Sequence, residues 1–560
     1  MSLPFTGQNL LTGFSWELSD LLWLNEVSRR DPYYIYHAGT AGSGFSFGAL
    51  QWDIPSHTPL PGATQASEIF LNILQNATDN SGQRIASDAF IQTIAPLIGI
   101  KGNPNALTTA QQSIINAALD SNYGRQQIDT NHVNEINLIV GWVNGTVALV
   151  GSAEDNAFLS GSEVSRLFIG DFRNQFSNAR NNDLRSYLQR NPVNQGTGSI
   201  QIEGRVGIAD ILNFYFSTPY ATGSIFGLND ELRRFSNIIQ VTGGVYQLPQ
   251  DQAAREEEAK GLIRVYQDFL KSKQSQLNAL GNNFSRLNST VLEPARVALI
   301  GQYVQEPGLG ISINGDVIAG EDQTSLARNT KHITDTDVLT GSNQSDLILA
   351  ESGNDVLEGG QGNDVLYGGT GLDLYRYTPG DGNDTILDSR DPSSHGDGLG
   401  ALVYDPNLSA QGLSVGLRDA DASGNYAGPW QDPGKTITYQ WSGTDGDALT
   451  ITTPTGTITL PKYFKNDLSI RLIDLPLDPP ADLPPSPARD ASDTQRNGTV
   501  QNDVFTGLPY TTVNGLTGDD DITGSGRLLG DADSDVLRIN ATLGSYAHGG
   551  TGRDVLVGGD

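Results

Sequence analysis

Residues 350–373 read AESGNDVLEGGQGNDVLYGGTGLD. Asp355, Asp364 and Asp373 stand nine residues apart, and Asp346 and Asp337 keep the same step backwards. Glycines ahead of each aspartate permit a tight turn with positive φ and let the backbone approach a ligand. The apolar pair behind each aspartate alternates in and out, as a very short strand does. Stacked turn–strand units give a coil with two strands per round of 18 residues, twice the nine-residue step. Carboxylates then recur at one azimuth on successive rounds and repel one another. A hard dication held by carboxylate and carbonyl oxygens resolves that repulsion, and calcium takes about six to eight oxygens. An acidic glycine-rich linker is the competing reading, but a linker has no need to hold Val and Leu in register behind each aspartate.

The repeat SGNDVLEGGQGNDVLYGGTGLD resembles the RTX, or haemolysin-type, calcium-binding nonapeptide family. The resemblance implies a parallel β-roll holding several Ca2+ ions, with Asp355, Asp364 and Asp373 donating side-chain oxygens. Asp346, in GSNQSD, keeps the carboxylate but lacks the glycines, which implies a weaker site. The segment TPGDGNDTILD looks like the family's closing turn, with Asp384 in the aspartate position. After residue 495 a degenerate block returns, in which Asp535 (GDADSD) and Asp554 (GGTGRD) fit the pattern and stand 19 apart. Asp503 and Asp521 stand 18 apart, one full round. Residues 400–475 alternate with period two (KTITYQW, ALTITTPTGTITL) and are similar to the antiparallel β-domain found between RTX blocks. RTX proteins leave Gram-negative cells through type I secretion machinery and fold on external calcium, so metal binding doubles as folding free energy. Such proteins usually carry a secretion signal after the last repeat, whereas this sequence ends at VLVGGD.

Composition agrees with that setting. The formal net charge of −30 over 560 residues argues against nucleic acid and anionic membrane surfaces as partners. The absence of cysteine excludes disulfides and thiolate metal sites. No apolar run is long enough to span a membrane. The opening MSLPFTGQNLLTGFSW has neither a basic nor an apolar region of a cleavable signal. The expected architecture is multidomain α + β. A mostly helical domain spans 1–305, a lead-in 306–335 and a parallel β-roll 336–390. An antiparallel β-domain spans 391–476, a proline-rich linker that opens with LDPPADLPPSP spans 477–495, and the second roll block spans 496–560.

The helical part must hold any activity that the repeats serve. It contains no HExxH, which excludes the zinc-protease chemistry of RTX enzymes. The stretch WLNEVSRRDPYYIYHAGTAGSGFSFGALQWDIP, residues 23–55, places a helix bearing Glu26 before an aromatic, glycine-rich hairpin and FGALQ. This order resembles the lysozyme superfamily, in particular goose-type, transglycosylase-like and chitosanase-like members. The resemblance implies Glu26 as general acid and Asp53 as a carboxylate that positions water. Gln51, Trp52, Tyr36 and Ser46 would line the cleft for a glycan polymer, peptidoglycan first and chitosan-like second. A carboxyl beside aromatic rings is partly desolvated, which suits the acid role. Glu17 and Asp31 are rival acids, His37 and His57 read as structural, and Glu26 as a solvated helix-end residue is the bland alternative. A non-enzymatic surface or adhesion protein is the competing class.

Overall fold

The computed structural model describes residues 5–37, 44–55, 57, 59–150, 152–202, 206–244, 246–281, 283–304, 311–320, 337–390, 396–404, 411–412, 415–419, 425–432, 435–475, 495–497, 504–515, 519–532, 534–539, 546–551 and 555–557. The chain divides into two compact units, Met1–Ala298 and Leu299–Asp560. Of the proline-rich linker expected at 477–495, residues 477–494 lie outside the described residues, and Gln495 opens the strand Gln495–Asn497.

The first unit is helical because its sequence starts helices well. Ser87, Ser121, Ser152, Ser162, Ser224 and Asp251 each accept a backbone N–H in the first turn of the helix they precede. Thr108 and Gln111 form a reciprocal capping box. The long helix Asn122–Ala148 runs through the unit and buries Ile128, Ile136, Ile139 and Val143. It also buries Asp129, His132 and Glu135, and each has a partner that fixes a neighbouring element. Asp129 accepts from Thr6 Oγ1 (2.6 Å) and Tyr33 Oη (2.7 Å). His132 Nε2 meets Ser19 Oγ at 2.7 Å, and Glu135 accepts from Trp52 Nε1 at 2.7 Å. The first helix, Phe14–Val27, packs against the helices Asn122–Ala148, Glu163–Gln175 and Ile225–Val241. A three-stranded antiparallel sheet follows it: Tyr36–His37, Phe45–Phe47 and Trp52–Asp53.

The second unit is built of strands three to five residues long at its start. Leu347–Leu349 pairs in parallel with Val365–Tyr367, Leu347 opposite Val365, a step of 18 residues. On the other side Val338–Thr340, Val356–Glu358 and Asp373–Tyr377 pair likewise, Val338 opposite Val356 and Val356 opposite Leu374. Two parallel ladders 18 residues per round are the two walls of a β-roll. Ile348, Leu357, Leu366 and Tyr375 fill the space between them. A strand at Val317–Ala319, inside the expected lead-in, adds to the first wall. Its repeat, NGDVIAG, stands 30 residues before Leu347 rather than 18, so the nine-residue step does not reveal it. At its other edge the same wall continues without a break. Asn383–Ile386 pairs in parallel with Gly456–Leu460, which opens the antiparallel run of strands back to Trp430–Gln431. The second block, from 495 onward, is a further parallel sheet around Val513, Ile522, Leu528 and Leu537.

Helix packing in the first unit is tight enough to test. A Cβ at Gly170, on helix Glu163–Gln175, would lie 2.6 Å from Leu18 Cδ1. Gly170→Val should therefore destabilise the helical unit by about 1–3 kcal/mol, measured as a lowered Cm in urea followed by far-ultraviolet circular dichroism.

Candidate functional site

Each round of the roll repeats one hydrogen-bond device. Asp355 Oδ1 accepts the Asp337 backbone N–H at 2.9 Å, and Asp373 Oδ1 accepts that of Asp355 at 2.9 Å. On the opposite wall Asp364 Oδ1 accepts from Asp346 N at 2.8 Å, and Asp384 Oδ1 from Asp364 N at 3.0 Å. One carboxylate oxygen is thus spent on stacking the rounds. The other oxygen, Oδ2, of Asp355, Asp364 and Asp373 is buried and has no hydrogen-bond partner among the described residues. A buried anionic oxygen without a donor is costly unless a cation meets it.

The turns ahead of these aspartates form the rest of the cradle. Gly369 (φ +95°) and Gly371 (φ +134°) adopt backbone that an L side chain rarely takes, and a Cβ on either would run into the carbonyl oxygens of Glu351 and Gly353 one round below. Asp364 Oδ2 lies against Gly359, and Asp373 Oδ2 against Gly368, five residues upstream in each case. The donors assembled here are carboxylate and backbone carbonyl oxygens, the hard set that calcium takes. Among the described residues no three His, Cys, Asp or Glu side chains form a cage, consistent with one carboxylate per turn and backbone for the remainder.

Electrostatics point the same way. Burial raises the Asp355 carboxyl to about 6 and those of Asp364 and Asp373 to about 7. Asp384 is raised to about 8, again chiefly by burial. Neighbouring carboxylates add to the rise: Asp337 and Glu351 at Asp355, Asp346 and Asp381 at Asp364, and Asp388, Asp355 and Asp397 at Asp373. The backbone N–H bonds pull in the opposite direction but do not prevail.

The remaining sequence-derived positions differ among themselves. Both Asp346 oxygens are occupied: Oδ1 accepts from Asp316 N and Ser342 Oγ, and Oδ2 from Ser342 N. In the second block Asp535 is fully buried and its Oδ1 accepts from Asp520 N at 2.9 Å. The stacking partner of Asp535 is therefore Asp520. Asp521, which the 18-residue spacing singles out, is one residue out of place and pairs with Arg538 instead. The signal that finds Asp520 is Gly515, five residues upstream, the same offset as Gly530 to Asp535. Asp503 and Asp554 lie outside the described residues.

In the helical unit Glu26 is the penultimate residue of helix Phe14–Val27. Its Oε1 accepts from Arg234 Nη1 and Asn174 Nδ2, both at 3.0 Å. Buried Arg234 also reaches Asp171 at 3.0 Å and Asp230 at 3.2 Å. Asp171 in turn accepts from Asn25 Nδ2 (2.8 Å) and Tyr215 Oη (2.9 Å). Glu231 completes the cluster. It is fully buried, accepts from Gln175 Nε2 at 3.1 Å, and burial pushes it up to about 8. None of these partners has a sequence motif, and Arg234 is 208 residues from Glu26. The only sequence trace is the run of charge in NDELRR, residues 229–234.

Of the cleft residues, Tyr36 is close enough for the Glu26 carboxylate, after burial itself, to drive its phenol far above the usual range. Tyr36 pairs with Ser46, and Ser46 with Asp53, so the three share one row of the small sheet. Asp53 is half-buried and its Oδ1 accepts the Gly44 N–H at 3.0 Å. Gln51 sits in the turn between the second and third strands with φ +53°. Ser46 is fully buried, and Trp52 is 1% exposed, its ring edge-on to Phe47 and its indole N–H on Glu135. Trp52 thus presents no face to solvent. Tyr220, exposed and bonded to Asp230 at 3.2 Å, does so beside the Arg234 cluster.

The model of the family described as RTX calcium-binding nonapeptide repeat matches residues 337–375 and 546–560, in four copies. No curated protein matches the chain. The repeat region binds calcium, and the oxygens described above fit that ion.

The raised carboxyls fix the sign of the pH dependence. Without calcium the folded roll holds protons that the unfolded chain has released, so its stability falls as pH rises from about 4 to about 8. Calcium competes with those same protons. Its apparent affinity should weaken about tenfold per site from pH 8 to pH 6, read by isothermal titration calorimetry of the full chain at both pH values. Asp364→Asn should remove one bound calcium in that titration and leave the helical unit's circular dichroism unchanged.

Proposed function

We propose that this chain is an extracellular, calcium-dependent glycoside hydrolase acting on peptidoglycan or a related β-1,4 amino-sugar polymer. Calcium in the roll, held by Asp355, Asp364, Asp373 and Asp384 with Asp346 as a weaker member, completes folding after export by type I secretion machinery. RTX proteins typically follow that route. Among the described residues no helix is long and apolar enough to cross a membrane.

The observation that carries the enzymatic reading is the order of elements around Glu26. A buried helix ends in a carboxyl, and a small antiparallel sheet bearing Tyr36 and Asp53 follows at once. That is the order the lysozyme resemblance implies. Both hydrogen bonds described at Glu26 fall on Oε1, which fixes the carboxyl and leaves Oε2 to deliver a proton to the leaving glycosidic oxygen. The charge of Arg234 is divided among Glu26, Asp171 and Asp230, so Glu26 does not hold it alone. Tyr36 is near enough to feel the Glu26 charge, and Asp53, on the third strand, is the carboxylate available to orient water. Tyr220 supplies an exposed ring for a sugar face.

The burial of Ser46 and Trp52 favours a second reading. It removes two groups from the sheet's contact surface, as suits a helical unit that binds a partner without cleaving it, in a surface or adhesion protein.

Reducing-end release from peptidoglycan and from chitosan, with calcium present, separates the two. The enzymatic reading expects release by the wild type and a loss of about 100-fold or more in Glu26→Gln, with a smaller loss in Asp53→Asn. Absence of release on both polymers by a folded wild type would leave the binding reading.

A further inference from the structure

The two repeat blocks bury carboxylates in the same way but neutralise them differently. In the first block the charged groups acting on Asp355, Asp364 and Asp373 are all carboxylates. In the second block the local build is the same. Asp520 N donates to Asp535 Oδ1, Val536 N donates to the Asp520 carbonyl at 2.7 Å, and Gly515 and Gly530 lie against the two carboxylates. Here, however, arginine reaches the turn. Arg471 opens the strand Arg471–Leu475, is 4% exposed, and donates Nη1 to the Asp520 carbonyl oxygen. Asp519, Asp521, Asp535 and Asp520 all act on it. Arg538 bonds Asp521, and Asn466 Nδ2 reaches Asp519 Oδ2 at 3.4 Å.

We propose that Arg471 is the resident cation of the first turn of the second block, standing for calcium at the Asp520 carbonyl oxygen and acting on the Asp520 and Asp535 carboxylates through its charge rather than through a hydrogen bond. A guanidinium offers an N–H donor to the carbonyl oxygen that calcium would coordinate, and it stays charged at any physiological pH. Its charge is covalently attached, so this turn does not depend on external calcium. Arg471 also belongs to the ten-stranded sheet, where its strand pairs with Val415–Asp419. The turn at 519–538 is thereby tied to the antiparallel strands rather than to the metal. The repeat-family match resumes only at 546, beyond the arginine-neutralised turn. Calcium in the second block then belongs to that later segment.

Hydrogen exchange of the full chain, in excess calcium and in excess chelator, tests this. In chelator the amides of 347–349 and 365–367 should lose protection by about 100-fold or more, while those of 521–523 and 536–538 change by less than about threefold. Arg471→Gln should make 521–523 and 536–538 lose protection in chelator and recover it in calcium, and Arg471→Lys should restore part of the wild-type behaviour. Asp535→Asn, which keeps the shape of the turn, should leave the number of bound calcium ions unchanged by equilibrium dialysis. Equal loss of protection in both blocks of the wild type overturns the assignment. So does a chelator response of Arg471→Gln that matches the wild type, or the loss of one calcium in Asp535→Asn.

Discussion

Burying an aspartate column is the constraint on which the second unit depends. The roll has a thin interior, a few aliphatic residues and Tyr375 between two walls of three-residue strands. So little apolar area cannot by itself offset the entropy of ordering glycine-rich turns. The aspartates supply what is missing. Oδ1 joins each round to the one before it, and Oδ2 demands a cation from outside. Calcium bound at those oxygens therefore adds its binding free energy to the stability of the folded roll.

The helical unit handles buried carboxylates with a different cation. Arg234 sits among Glu26, Asp171 and Asp230, and burial pushes the fully buried Glu231 beside them up to about 8. A guanidinium with five fixed donors sets the direction of each carboxyl, which is how Glu26 comes to have one tethered oxygen. Removing it would leave several buried charges unpaired, a large penalty compared with what the pairs contribute in net stability. In the second block a buried arginine again lies near clustered carboxylates, but the bond of Arg471 is to the Asp520 carbonyl oxygen.

How much of this was legible in the sequence depends on how local each interaction is. The roll was legible because turn, aspartate and strand lie within nine residues, and the period shows itself. Where the period breaks, reading by period fails. The strand at Val317–Ala319 joins the wall across a 30-residue step, and Asp520 rather than Asp521 stacks on Asp535 because the round there is 15 residues long. Counting five residues forward from the cradle glycine finds Asp520, since that offset follows from the turn itself. The helical unit was legible as helices and as a carboxyl before a small sheet. Which way its residues point was not: Trp52 turns inward because Glu135, 83 residues away, accepts its indole N–H.

The sequence by itself determined the nine-residue carboxylate step, the glycine turns, the demand for calcium and the helical character of the part before the repeats. Each of these arises between neighbours in the chain, through backbone preference, capping and periodicity. Only the tertiary structure decided that Arg234 reaches Glu26, that Ser46 and Trp52 are core, and that Arg471 enters the second block. Those outcomes join groups from 49 to 208 residues apart. No local rule of spacing brings such groups together, and packing of whole elements does.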